Sequence, residues 1–251
     1  MSSARTRPAP GIRNVWMYWE TPSGRTKPVY LDLCLETIER RSEELSLRLL
    51  DEGAIRDLLP DFRSEVSRLA LNHRSDYYRS KLIHRHGGIW LDADLIALRP
   101  LRELLEGWNG KDVALYGRES ANLSANCFAA VPGSPLLAEW IERQDAALDV
   151  EGEIPWNGLG KDPLVAASMN HEYHLLPVDR IAPLPWQDWR KLLSRWRSPR
   201  RYLRADPIVF MLYNKFLHDA FDGMSASDIL EGDMLISKLF RTALGETDRT
   251  S

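Results

Sequence analysis

One segment of this sequence, residues 87–94, sets three consecutive large apolar residues between a glycine pair and two aspartates. The apolar residues are Ile89, Trp90 and Leu91, and a run without alternation is typical of a strand that is buried on both faces of a sheet. The glycine pair permits the tight reversal that brings a preceding helix back into such a strand. The segment therefore favours an α/β fold, in which helices cover both faces of a mostly parallel sheet.

The flanking sequence supplies the alternation of strand and helix that such a fold needs. Residues 15–19 are apolar and aromatic, residues 29–41 carry apolar side chains at helical spacing, and residues 45–49 alternate. The other predicted elements are strands at 112–116 and 127–131 and helices at 76–86, which Ser75 would cap, 135–148 and 225–244. The predicted fold class is therefore α/β, with a mostly parallel twisted sheet flanked by helices.

The chain of 251 residues, 44% of them hydrophobic, is long enough for one large domain. We expect a disordered lead at residues 1–12 and a single domain at 13–251 with a helical C-terminal part. The net charge of −3 gives no pull toward nucleic acid. Cys34 and Cys127 are far apart in sequence and form no metal-type cluster, and a reduced, cytoplasmic protein is the simplest interpretation. No window approaches the roughly 20 apolar residues of a membrane span, so the protein would meet a lipid-linked substrate from the side of the membrane.

The two aspartates after the buried strand are the main candidates for chemistry. If the segment stays extended, Asp92 and Asp94 point to the same side. They would then lie just beyond the carboxyl end of a strand, where open α/β sheets bind ligands. Two carboxylates with an open coordination shell suit a hard divalent cation that also holds phosphate oxygens. An Asp-x-Asp pair by itself fits an ordinary polar strand end equally well, so its surroundings matter.

Asp76 and Arg79 are three residues apart on the predicted helix and share one of its faces. Because the glycine pair returns this helix beside the strand, we expect both side chains near the two aspartates. An arginine binds phosphate or sugar hydroxyls, and an aspartate accepts hydrogen bonds from hydroxyls. The alternative interpretation is an exposed ion pair, which would contribute little.

The composite pattern from Ser75 to Asp94 resembles a known family. The pattern is Ser-Asp, two residues, Arg79, a helix, and then Gly-Gly-Ile-Trp-Leu-Asp-Ala-Asp. It is similar to the DXD-containing glycosyltransferases of the capsular polysaccharide synthesis type, which are related to outer-chain mannosyltransferases and large glucosylating toxins. The first predicted strand and residues 126–137 extend the resemblance over about half of the chain, residues 14–141.

The resemblance implies a GT-A-type nucleotide-sugar-binding fold, a divalent metal (Mn²⁺ or Mg²⁺) and a UDP- or GDP-sugar donor. It also implies retaining hexosyl transfer to a glycan or lipid-linked acceptor in capsular or cell-surface polysaccharide synthesis. By position, Asp94 would be the main metal ligand, while Asp92 would contact the ribose or the donor sugar and assist the metal. Asp76 and Arg79 would hold the sugar, and Trp19 would stack on the nucleotide base.

Three further places are candidates. Asn126 either reaches the donor sugar or only satisfies a strand end, and the residues alone leave both interpretations open. Within the glycine-rich loop at 149–163, residues 156–163 are a candidate cover for the donor. Residues 213–215 occupy the position of a segment that, in relatives, closes over the diphosphate.

A stretch at residues 186–204 contains seven basic residues with four aromatic residues interleaved. One interpretation is peripheral contact with membrane headgroups or with an anionic lipid-linked acceptor, which would bring the protein to the inner face of the membrane. The other is an ordinary solvated face whose arginine stems cover apolar surface.

Two other functions stay open from the sequence alone. One is a non-catalytic nucleotide-sugar-binding protein, and the other is a metal-dependent phosphohydrolase, which also uses clustered carboxylates. Binding alone, nucleotide release without an acceptor, and sugar transfer are the three behaviours that separate these hypotheses.

Overall fold

The computed structural model describes residues 12–21, 24–119 and 122–245, so the predicted lead lies outside the described residues as far as residue 11. The chain packs into two compact units. The first comprises residues 1–20, 45–92 and 104–177, and the second comprises residues 21–44, 93–103 and 178–251.

The described strands are β1 (Asn14–Tyr18), β2 (Ser46–Leu50), β3 (Gly88–Leu91), β4 (Leu95–Ala97), β5 (Val113–Gly117), β6 (Leu123–Ala130), β7 (His174–Pro177) and β8 (Val209–Met211). The α-helices are α1 (Tyr30–Ser42), α2 (Glu52–Leu58), α3 (Leu71–His86), α4 (Pro135–Leu148), α5 (Lys161–Ser168), α6 (Val178–Ile181), α7 (Asn214–Leu217), α8 (Ala226–Glu231) and α9 (Leu235–Leu244). Short 3₁₀ helices occupy Ser64–Arg68, Leu101–Leu105, Trp186–Leu193, Pro199–Arg201 and His218–Phe221.

The first unit is built on a six-stranded sheet with the order β2-β1-β3-β6-β5-β7. Its pairings are parallel except for the two that β6 makes, so five strands run in one direction and β6 in the other. The register sets Trp16, Trp90, Phe128 and Leu115 in one row across the sheet. This row packs with α3 and α4 in a single apolar core. The predicted α/β class, with a mostly parallel sheet flanked by helices, is confirmed.

Most predicted elements of the first unit are present, with shifted ends. Strands β1 and β2 pair in parallel, as the predicted strand–helix–strand unit requires. Strand β6 begins at Leu123, four residues before the predicted start. The prediction that Ser75 caps a helix is wrong, because α3 already begins at Leu71 and its N-cap is Ala70. Ser75 lies instead inside the helix, where its hydroxyl is available to a neighbouring side chain.

The glycine pair forms the predicted reversal between α3 and β3. Gly87 and Gly88 both have positive φ, at 62° and 130°. A Cβ atom on Gly88 would lie 2.5 Å from the indole nitrogen of Trp16, so no side chain fits there. Trp16 is 3% exposed and donates a hydrogen bond to the carbonyl of Gly87 at 2.8 Å, which makes it a core residue that holds the turn.

The second unit contains the antiparallel pair β4–β8 and the helices α1, α8 and α9, which contact one another. The predicted helical stretch at 225–244 is present as α8 and α9. Strands β4 and β8 were not predicted. Among the helices of the described residues, none is both long and apolar enough to cross a membrane.

Candidate functional site

The carboxylate of Asp92 follows the last residue of β3 in the first unit. Its backbone N–H donates to the carbonyl of Asn126 at 2.9 Å, which fixes the end of the strand against β6. Its Oδ1 accepts a hydrogen bond from the indole N–H of Trp90 at 2.9 Å and forms an ion pair with Arg79 Nη2 at 3.2 Å. The other oxygen, Oδ2, accepts no hydrogen bond from any residue that the structure describes. The side chain is 27% exposed, so this oxygen is the part of the carboxylate that remains for a ligand.

Arg79 is the cation of this site and is only 5% exposed. Its Nε donates to the carbonyl of Ser75 at 3.2 Å, and its Nη2 donates to the hydroxyl of the same serine at 2.9 Å. Nη2 also lies 3.3 Å from Asp76 Oδ1, and the guanidinium carbon lies 5.3 Å from the centre of the Trp90 ring. The interpretation of Asp76 and Arg79 as an exposed ion pair is therefore wrong. Because the pair is buried, removal of the guanidinium would leave a poorly solvated carboxylate without its cation.

Asp76 is the second carboxylate beside Arg79, and its side chain is 14% exposed. Burial raises the pKa of Asp76 to about 6, the attraction of Arg79 opposes this rise, and the negative charge of Asp92 adds to it. Burial likewise raises the pKa of Asp92, against the attraction of Arg79 and the hydrogen bond from Trp90. Two carboxylates thus share one guanidinium in a poorly solvated place, which is typical of functional sites.

The start of α5 presses against Asp76. A Cβ atom on Gly160, which precedes that helix, would lie 2.6 Å from Asp76 Oδ2, so any side chain there would displace the carboxylate. The fully buried Gln144 ties the same loop to α3, because its Nε2 donates to the carbonyls of Leu159 at 2.5 Å and Asp76 at 3.0 Å. The end of the predicted glycine-containing loop is therefore part of the wall around Asp76.

Replacing Asp76 by asparagine should stabilise the protein at neutral pH. The unfolded chain releases this proton near pH 4 and the folded chain near pH 6, so the stability contributed by the protonated form is complete below pH 4 and is lost as the pH rises through about 6. At pH 7.5 the neutral isostere should raise the free energy of unfolding by about 1–3 kcal/mol, and at pH 4 it should give no gain. Urea unfolding without nucleotide or divalent cation measures this. Asp61→Asn, at a carboxylate that is 78% exposed, is the control, and a variant less stable than wild type at pH 7.5 would contradict the expectation.

Two more predicted residues lie in the first unit. The carboxamide oxygen of Asn126 accepts hydrogen bonds from the hydroxyls of Tyr116 and Ser124, which leaves its NH₂ group as the part suited to a ligand. The strand end is satisfied by its backbone carbonyl, so the side chain is not needed for that purpose. Trp19 directly follows β1 and is partly exposed, and its backbone N–H donates to the carbonyl of Leu50 at 3.0 Å.

Asp94 belongs to the second unit, and the division of the chain falls just before Ala93. The chain bends at residues 93 and 94, so the expectation of a continuously extended segment is wrong. Asp94 Oδ2 accepts a hydrogen bond of 2.5 Å from the backbone N–H of Asn214 at the start of α7. Tyr213, which precedes Asn214, has a φ of 66°, a left-handed conformation that costs about 1–2 kcal/mol in a residue other than glycine. This strain sits at the turn that aims an N–H at the carboxylate.

Two tyrosines of the second unit interact electrostatically with Asp94. The hydroxyl of Tyr30 donates to the side-chain oxygen of Asn214, and the hydroxyl of Tyr213 donates to the carbonyl of Leu184 at 2.6 Å. Burial raises the pKa of both tyrosines, and the negative charge of Asp94 raises it further. Both hydroxyls are therefore neutral hydrogen-bond donors at physiological pH.

Neither cysteine of the described residues belongs to a metal-type cluster. Cys34 and Cys127 are free and fully buried. Burial raises the pKa of both thiols, with Asp94 adding to the first and Asp92 to the second, so both are protonated thiols at neutral pH. The described residues hold no group of three or more His, Cys, Asp or Glu side chains placed to bind a metal ion.

Comparison with known families decides where the chain belongs. A family model described as capsular polysaccharide synthesis protein matches residues 2–128, which is half of the chain. The chain belongs to the capsular polysaccharide synthesis protein family. The matched region contains Trp19, the whole segment from Ser75 to Asp94, and Asn126. The resemblance predicted from the composite motif is confirmed.

This member of the family is also similar to a curated fungal protein. It is 27% identical over 178 residues to Glycosyltransferase afumC of Aspergillus fumigatus (strain CBS 144.89 / FGSC A1163 / CEA10). The match covers 61% of this chain and 44% of the fungal protein, so the chain spans less than half the length of that relative.

Several solved structures are distantly similar. The PaToxG glycosyltransferase shares 15% identity over 95% of this chain and 88% of its own, with a TM-score of 0.45. The galactosyltransferase LgtC, in complex with donor and acceptor sugar analogues, shares 13% identity over 94% and 96%, with a TM-score of 0.45. The apo form of the glycosyltransferase GlyE of Streptococcus pneumoniae TIGR4 shares 13% identity over 80% and 54%, with a TM-score of 0.49. Likenesses at this level carry no functional assignment.

The residues that sequence reasoning missed in this family member are mainly supports. Trp90 was assigned only to the core, yet its indole N–H binds Asp92, and the spacing of two residues was the available signal. Gln144 and Tyr30 gave no signal, because each acts on a residue far away in sequence. The segment at 213–215 was singled out by resemblance, and within the second unit it supplies the N–H that binds Asp94.

Proposed function

We propose that this member of the capsular polysaccharide synthesis protein family is a glycosyltransferase with a GT-A-type fold. It would move a hexose from a UDP- or GDP-sugar to a glycan or lipid-linked acceptor in capsular or cell-surface polysaccharide synthesis. The observation that carries the proposal is the buried group of Arg79, Asp76 and Asp92 beyond β3, inside the region that matches the family. The name of the fungal relative supports the same activity.

The surroundings of each candidate site residue in the first unit suit the role proposed for it. Asp76 and Arg79 would bind hydroxyls of the donor sugar, because a carboxylate accepts and a guanidinium donates hydrogen bonds. Asp92 would offer its Oδ2 to the ribose or the sugar, since Oδ1 is occupied by Trp90 and Arg79. The NH₂ group of Asn126 would donate to the donor sugar.

A divalent cation fits the donor chemistry of these residues. Mg²⁺ is usually bound through one or two carboxylates and completed by substrate phosphates and water, and Mn²⁺ accepts the same oxygen ligands. Asp94, whose carboxylate is oriented by the N–H of Asn214, would be the main ligand, and Asp92 would assist. Such a cation supplies charge neutralisation at the departing diphosphate.

Trp19→Ala should weaken nucleotide binding without unfolding the protein. We propose that this partly exposed ring stacks on the base, and base–aromatic stacking contributes about 1–3 kcal/mol. The dissociation constant for the nucleotide should therefore rise by about 5- to 150-fold, measured by calorimetry. Trp16→Phe is the matched control, because Trp16 is a core residue whose loss should lower stability and leave nucleotide affinity unchanged. A destabilised Trp19→Ala variant with unchanged affinity would show that Trp19 belongs to the core.

The experiment that tests the function begins with donor binding. UDP- and GDP-sugars are screened with Mn²⁺ by thermal shift, and each stabilising donor is then incubated with candidate acceptors. We propose retention of the anomeric configuration, which the family resemblance implies, so NMR of the fresh product should show the donor's configuration. Nucleotide release without a glycoside product would instead favour a phosphohydrolase, and binding without turnover would favour a nucleotide-sugar-binding protein.

A further inference from the structure

The segment at residues 186–204, called the basic surface below, lies within the second unit. It contains seven basic residues and a single acid, Asp188, whereas the whole chain carries a net charge of −3. Asp188 forms an ion pair with Lys191, so the one acid is already used. The basic surface is therefore positively charged, whereas the rest of the chain carries a net negative charge.

The remaining cations of the basic surface have no acidic partner among the described residues. None of its six arginines forms an ion pair with any residue that the structure describes. Other arginines of the second unit are paired, since Arg99 binds Glu103 and Asp206, and Arg180 binds Glu103. The six unpaired arginines are Arg190, Arg195, Arg197, Arg200, Arg201 and Arg204.

The basic surface also presents an apolar ring to solvent. Trp196 is 96% exposed, and arginines stand immediately before and after it in sequence. The backbone around this ring is held in place, because the carbonyl of Ser194 accepts from the N–H of Leu235 at 2.9 Å and the carbonyl of Arg195 accepts from Lys238 Nζ at 2.7 Å. A fully exposed indole on a fixed segment leaves its apolar surface in water, and covering that surface would be favourable.

We propose that the basic surface is a docking site for an anionic lipid bilayer. Clusters of four to eight Lys or Arg residues bind anionic leaflets, and tryptophan prefers the interface between headgroups and acyl chains. The unpaired arginines would contact headgroup phosphates while Trp196 inserts at the interface. Phosphate oxygens give the arginines the anionic partners that the described residues do not. This inference is independent of the proposed function, since it rests on charge and exposure in a segment outside the candidate site.

The test is co-sedimentation with vesicles of phosphatidylcholine alone or mixed with phosphatidylglycerol. Arg195, Arg200 and Arg201 are changed together to Glu, and they are exposed and unpaired. The matched control changes Arg13, Arg48 and Arg68 to Glu, which are exposed and unpaired in the first unit and alter the net charge equally. Trp196→Ser tests the apolar part.

We expect the wild type to bind the anionic vesicles at low salt and not the neutral ones. The triple change in the basic surface should weaken partitioning at least about tenfold, since each cation near an anionic leaflet contributes substantially. Trp196→Ser should weaken it by a smaller factor, and the control should match wild type. Equal loss in both triple variants, or no binding of wild type to anionic vesicles, would overturn the proposal. So would binding of a soluble acidic polysaccharide through the same arginines without any binding to vesicles, which would identify a glycan partner instead.

Discussion

Asp94→Asn is expected to lower the rate of sugar transfer by about 10²–10³-fold, the size of loss that follows removal of one charge or dipole aimed at a developing charge. The substitution isolates the charge, because the amide oxygen of asparagine can still accept the hydrogen bond from the N–H of Asn214. The second unit should therefore keep its fold while the affinity for a divalent cation falls. Initial rates measured over a range of Mn²⁺ concentrations check both parts.

The control for this experiment is Asp179→Asn, which removes an exposed carboxylate in the same unit and should leave the rate unchanged. Circular dichroism of both variants establishes that neither loses secondary structure. If Asp94→Asn kept a rate within threefold of wild type at every Mn²⁺ concentration, the carboxylate would have no part in binding a cation, and the role assigned to Asp94 would be wrong.

Arg79→Met should destabilise the protein by about 3–5 kcal/mol, because it leaves two poorly solvated carboxylates without their shared cation. The guanidinium lies within 3.3 Å of both Asp76 and Asp92 and is itself nearly buried. Unfolding by urea at pH 7.5 measures the loss. The loss should be smaller at pH 5, where protonation of the carboxylates relieves the repulsion, since burial has already raised both pKa values.

Arg85→Met is the matched control for Arg79→Met, since Arg85 lies on the same helix but is 45% exposed and pairs with the exposed Asp61. An exposed pair contributes little, so this variant should unfold close to wild type. Adding Asp92→Asn to Arg79→Met should recover part of the lost stability by removing one unpaired charge. A loss in Arg79→Met no larger than that in the control would show that the three side chains do not depend on one another.

The grouping of Asp76, Arg79 and Asp92 could be predicted because the features that bring these residues together lie close to one another in the sequence. A spacing of three sets two side chains on one helical face, and a two-residue glycine turn returns that helix to the strand. The same locality made the limits of α4 predictable, because a proline start and an apolar stripe lie within one segment. Where apolar periodicity was weak, as at the start of α3, the predicted helix began too late.

The support of Asp94 could not be predicted in the same way. Its partner Asn214 lies 120 residues further along the chain, and no periodicity encodes which loop will present an N–H to a given carboxylate. The strands β4 and β8 were missed for a similar reason, since each has only three residues and exists through pairing with the other. The resemblance to a family gave the one available signal for residues 213–215.

The most direct measurement is sugar transfer by the purified wild-type protein from a stabilising nucleotide-sugar donor to an acceptor, followed by mass spectrometry. The reaction is run with Mn²⁺, with EDTA, and with EDTA followed by excess Mn²⁺. We predict a product that carries one added hexose in the first and third reactions and none in the second, with release of nucleoside diphosphate in step with the product. Undiminished transfer in EDTA, or release of nucleotide without any glycoside, would contradict a metal-dependent glycosyltransferase.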